Sequence, residues 1–158
     1  MMQKSCWVLF LYLSWGVAVQ AAEVQLDDRV SSPAALVMES PYNFEGTVNN
    51  LRDAINGSNF LMIREQAWNY GLENGETKSR ETILYFCNFD LVNRGIKLDQ
   101  RVGQLLPFRI TVAERGDRVW AMAINPETLM KVSGTSRLGV FNTYAASMYR
   151  QILEEGLF

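Results

Sequence analysis

The hexapeptide Thr82-Ile83-Leu84-Tyr85-Phe86-Cys87 is apolar at nearly every position and is followed at once by Asn88-Phe89-Asp90. A short apolar run of this kind, rich in aromatic and aliphatic side chains, reads as an inner strand of a sheet. Asn88 can cap the free N–H groups of a helix start, and Asp90 lies in the first turn, where the helix dipole favours an acid. The same grammar occurs earlier in the chain. Ala35 to Ser40 reads as a strand, Pro41 ends it by removing a ladder donor, and Asn43-Phe44-Glu45 opens a helix. Two strand-to-helix units built alike predict a β-α-β arrangement used twice.

The intervening patterns fill in this frame. Phe44, Val48, Leu51 and Ile55 recur at steps of four, three and four, which marks one buried helical face ending at Gly57. Asn56-Gly57-Ser58 matches a glycosylation sequon but is explained by the helix terminus. Phe60 to Glu65 reads as a strand with Leu61 and Ile63 on one face, and Phe60 and Met62 on the other. Residues 66 to 82 read as an amphipathic turn and a polar loop. Leu91, Val92 and Ile96 continue the second helix, after which RVGQLLP turns the chain into Phe108 to Glu114. Phe108, Ile110 and Val112 alternate with Arg109 and Thr111, the period of a strand with one exposed face. Arg115-Gly116-Asp117 is a three-residue turn into Arg118 to Asn125, so the pair is a hairpin; the turn explanation displaces an adhesion-tripeptide reading. Asn125-Pro126-Glu127 opens a short helix. Residues 137 to 156 form a longer one, with Leu138, Phe141, Ala145, Met148 and Ile152 facing the sheet.

At 158 residues, 48% hydrophobic and 20% charged, the chain suits one ordinary domain with a real core. We assign residues 35–158 to that domain and the polar residues 22–34 to a flexible lead-in. Residues 1–21 carry Lys4, an apolar run from about Cys6 to Val19, and then Val19-Gln20-Ala21. This is the pattern of a signal peptide cleaved between Ala21 and Ala22. The run is shorter than the roughly 20 apolar residues that span a bilayer, so no stable membrane span is expected after cleavage. An exported small domain without a disulfide framework suits a bacterial periplasm. The net charge of −2 lacks the basic footprint of phosphate-backbone binding, and nucleic acid is not an expected partner.

The chain has no histidine, which excludes hydrolase triads and histidine acid/base catalysis and removes a usual ligand of zinc and haem. Gly71, Gly75, Gly95 and Gly103 are scattered and form no phosphate-binding loop. Glu73, Glu76, Glu81, Asp27 and Asp28 fit a solvated surface, leaving Glu39, at a strand end, as the acid to check for burial. No catalytic residue, metal ligand or cofactor is assigned. Cys87 is the one thiol of the expected mature chain, so it is buried, bonded to a partner, or reactive. A helix start beside it can stabilise a thiolate; against this, no lysine or arginine adjoins it, and cysteine is often a small buried hydrophobe.

Three ordered segments, "ILYFCN" at 83–88, "RVGQLLPFRITVAE" at 101–114 and "AMAINPETL" at 121–129, resemble the bacterial family called domain of unknown function 302, over roughly residues 35 to 155. The resemblance implies a TATA-box-binding-protein-like α+β fold, a curved antiparallel sheet with helices packed on one face. It implies no activity. Relatives commonly have Cys-Asn-Pro where this chain has Cys87-Asn88-Phe89, and many have a second cysteine where it has Phe108, so a two-cysteine site cannot form within this chain. The functional expectation is a periplasmic binding module for a small apolar ligand or a partner protein, with Trp68, Tyr70, Trp120 and Met122 lining an apolar groove between sheet and helices. The alternative is a single-thiol redox or soft-metal protein centred on Cys87. An all-apolar pocket favours the first, and a solvent-reachable Cys87 beside a methionine sulfur the second.

Overall fold

The computed structural model describes residues 34–67, 80–128 and 139–158. Strand β1 (Ala35–Ser40) leads into helix α1 (Phe44–Gly57), and strand β2 (Leu61–Ala67) follows. Strand β3 (Glu81–Cys87), helix α2 (Phe89–Leu98) and a 3-10 helix (Gln100–Leu105) precede the hairpin of β4 (Phe108–Arg115) and β5 (Arg118–Ile124). Helix α3 (Gly139–Leu157) closes the described chain. The strands form an open antiparallel sheet in the order β1-β5-β4-β3-β2. Both expected strand–helix–strand segments are present, but they are wired differently. α1 links β1 and β2 at opposite edges, whereas α2 and the 3-10 helix link β3 and β4, which are antiparallel neighbours.

Both asparagines cap as their positions require. Asn43 Oδ1 accepts from Gly46 N–H at 2.8 Å and Asn88 Oδ1 from Leu91 N–H at 3.0 Å. Asn88 also ties the corner to α1, because its Nδ2 donates to the Asn59 carbonyl at 3.0 Å. The stripe Phe44, Val48, Leu51 and Ile55 is buried, as are Phe141, Ala145, Met148 and Ile152 of α3. These faces meet Leu84, Phe86, Phe108, Ile110, Val112, Val119, Ala121 and Ala123, the helix-facing side of the sheet. The apolar run of β3 is an inner strand, yet it is not buried on both sides: Leu84 and Phe86 are fully buried, while Ile83 and Tyr85 are half-buried on the face away from the described helices.

Several local expectations are corrected. Arg115 pairs with Arg118, so the hairpin turn has two central residues rather than three, and Gly116 at φ +64° occupies a left-handed position that suits glycine. β2 runs on to Ala67 with a register shift between Met62 and Arg64. Glu81 belongs to β3 and pairs with Arg115. RVGQL is a 3-10 helix, and the Leu106–Pro107 peptide after it is cis. Residues 1–33, Trp68, Tyr70 and Leu138 lie outside the described residues.

α1 and α3 approach most closely where Gly156 faces Leu51: a Cβ at 156 would stand 2.7 Å from Leu51 Cδ2 and 3.1 Å from its Cα. Gly156→Ala must therefore separate the helices, at a cost of about 1–3 kcal/mol, read as a lower urea midpoint; an unchanged midpoint contradicts the packing. Asn88→Ala removes the cap of α2 and is expected to lower stability by about 1 kcal/mol. Equal midpoints for Asn88→Ala and the native chain would refute that role.

Candidate functional site

Cys87 ends β3 where the chain turns into α2. It is 5% exposed and lies beneath an open depression lined by Asn56, Asn59, Phe60, Leu61, Asn88, Phe89 and Asp90. Among the described residues no cation and no methionine lines this depression, so they assemble neither an activated thiolate nor a soft two-sulfur ligand set there. Burial pushes the Cys87 thiol above its ordinary pKa, the direction of an unreactive group. Phe108 pairs with Phe86 in the register and shares its helix-facing side. By strand alternation Cys87 projects the opposite way.

A more enclosed site lies at the sheet end where β4 starts and β5 finishes. Tyr85, Gln104, Leu105, Leu106, Pro107, Phe108, Arg109, Ile124, Pro126 and Tyr149 surround a narrow pocket of about 80 Å³ that opens to solvent. Its walls come from β3, the 3-10 helix and the turn after it, the hairpin ends, and α3. The paired register of β4 and β5 begins only at Ile110. At Arg109 the backbone N–H instead donates to Tyr149 Oη at 3.0 Å. Tyr149 is 3% exposed, and its ring stacks edge-on against Phe86 and Phe108 at centroid distances of 5.9 and 5.7 Å. Burial raises its pKa well above the ordinary tyrosine value, outweighing the bond from Arg109, so the hydroxyl keeps its proton at physiological pH.

The sequence-predicted residues fall elsewhere. Trp120 and Met122 are half-buried on the face of β5 away from the described helices, opposite Glu39 and Val37 of β1 and Ala113 and Thr111 of β4. The Arg118 guanidinium covers the Trp120 ring at 4.6 Å and makes two bonds to Glu39 at 2.7 and 2.6 Å. Glu39 is thus an exposed, ion-paired acid rather than a buried one. Neither Trp120 nor Met122 lines the Tyr149 pocket. Sequence reasoning passed over Tyr149, the one tyrosine beside the α3 stripe that the structure buries; its polar tip next to Met148 was the available signal.

A thiol reagent should label Cys87 in native Cys6→Ser protein much more slowly than in the same protein unfolded at the same pH. Equal rates would show a reactive, solvent-reachable thiol instead.

Comparison with known proteins bears on the fold and the lineage. The sequence model of the family described as Domain of unknown function DUF302 matches residues 36–156. The crystal structure of an uncharacterized conserved DUF302 protein from Bacillus stearothermophilus is similar over 77% of this chain and 96% of that one, with a TM-score of 0.70 and 15% identity. At that identity the likeness speaks for the fold alone. No curated protein matches the chain. With the matched region covering the whole sheet and nearly all of α3, the chain belongs to the DUF302 family.

Proposed function

We propose that this chain is an exported binding module that holds a small, largely apolar molecule in the pocket beneath Tyr149. Export is supported by Lys4, the apolar run and Val19-Gln20-Ala21 at the N-terminus. Among the described residues no helix is long and apolar enough to cross a membrane.

The observation that carries the reading is the pocket itself, whose surface is about equally apolar, from Leu105, Leu106, Pro107, Ile124 and Pro126, and polar, from groups that include Tyr149, Arg109, Tyr85 and Gln104. In small-molecule sites apolar area supplies affinity and placed polar groups fix orientation. The pocket differs from the all-apolar groove expected from the sequence and lies at another place on the sheet. The thiol alternative draws less support, because Cys87 is buried without a cation or methionine lining the depression above it.

Native mass spectrometry of the protein purified from its own periplasm tests both halves of the proposal. The expected result is an N-terminus near Ala22 and a small molecule that is released on denaturation. The same molecule should be absent from Ile124→Trp, which fills the pocket from the sheet end while the far-ultraviolet spectrum stays native. Intact Met1 in the membrane fraction contradicts export; a ligand-free spectrum, or a ligand retained equally by Ile124→Trp, contradicts the site.

A further inference from the structure

The pocket contains a buried hydroxyl whose proton has no acceptor among the described residues. Tyr149 Oη accepts the Arg109 N–H, and a tyrosine hydroxyl has one proton of its own to give. None of the described hydrogen bonds uses that proton. Buried hydroxyls ordinarily find a partner, since leaving one unmade costs its desolvation. The group that completes Tyr149 from the pocket side must therefore present an acceptor.

The charge pattern narrows that acceptor. At the hairpin-turn end of the sheet, guanidinium groups are matched to carboxylates: Arg80 with Glu45 and Glu114, Arg115 with Glu81, and Arg118 with Glu39. At the pocket end Arg150 pairs with Glu127, but the Arg109 side chain is in none of the described hydrogen bonds or ion pairs, and no carboxylate lines the pocket among the described residues. Tyr85, directly across from Arg109 in the β3–β4 register, adds a second phenol whose hydroxyl has no partner among the described residues.

We propose that the pocket binds a small organic carboxylate at the open end of the sheet, its apolar body against Leu105, Leu106, Pro107 and Ile124, one oxygen received by the Tyr149 hydroxyl from the helix side and the charge met by the Arg109 guanidinium, which leaves β4 on the opposite face. This rests on the reading of the pocket as the ligand site. One guanidinium and neutral hydroxyls match a single negative charge, and the planar fork of arginine suits the two oxygens of a carboxylate. A phosphate dianion calls for more donors, and no second cation lines the pocket among the described residues.

Binding of the straight-chain acids from propionate to octanoate, and of benzoate, is to be measured by calorimetry beside that of the corresponding primary amides. At least one acid should bind about tenfold or more tightly than its amide, the worth of one charge-assisted bond. That preference should fall to near parity in Arg109→Gln, persist in part in Arg109→Lys, and shrink in Tyr149→Phe, with every variant checked for a native far-ultraviolet spectrum. Acids and amides binding equally, with both lost in Ile124→Trp, would overturn the carboxylate while leaving the site in place. Failure of every acid and amide to bind at millimolar concentration would overturn the carboxylate and the pocket reading together. An acid preference unchanged in Arg109→Gln and Tyr149→Phe would place the anion elsewhere and also overturn the proposal.

Discussion

Four rings hold the sheet end together. Phe60, from the corner between α1 and β2, meets Phe86 of β3 edge-on at 5.5 Å and Phe108 of β4 at 6.0 Å, and Tyr149 of α3 closes onto both strands from above. Edge-to-face contacts of this kind constrain orientation as well as burying area. They leave the Tyr149 ring little freedom, and its hydroxyl is held where β4 has lost its β5 partner, against the Arg109 N–H. The pocket floor is thus a by-product of core packing. The Leu51–Gly156 contact, two turns further along α3, presses the same helix onto α1.

The two ends of the sheet solve different electrostatic problems. Near the hairpin turn, carboxylates and guanidinium groups pair across strands, which satisfies each charge locally while contributing modestly to stability, because these pairs are exposed. A further buried link fixes the start of α1 to β1: Ser40 Oγ and Thr47 Oγ1 lie 2.6 Å apart beneath the first turn. At the pocket end, neutral hydroxyls and one cation face an apolar lining instead. At that end Arg150 pairs with Glu127 at 3.8 Å, while the Arg109 guanidinium has no carboxylate partner among the described residues.

Most of the frame was legible in the sequence because it is written locally. β1 occupies the expected residues, the two asparagine caps follow from residue type and position, and the α1 and α3 stripes follow from helical spacing. The face of a strand residue is less legible, since it depends on register. Once a two-residue turn pairs Arg115 with Arg118, Trp120 must fall opposite Ala113 and Met122 opposite Thr111, on the side away from the helices. The three-residue turn expected from Arg115-Gly116-Asp117 concealed that parity. The pocket was illegible for a different reason: residues 85, 104–109, 124, 126 and 149 are brought together only by strand order and by the tilt of α3. No local pattern connects them.

Amide chemical shifts provide the most direct test of a ligand site floored by Tyr149. The Arg109 N–H is bonded to Tyr149 Oη, so its resonance reports on whatever the hydroxyl meets. On titration with hexanoate or benzoate, the largest shifts are expected at Arg109, Phe108, Leu105 and Ile124, with the Cys87 corner unmoved. Shifts centred on Cys87 and Asn88 or on the Trp120 face, or no shift at Arg109 at saturation, would contradict a site at Tyr149.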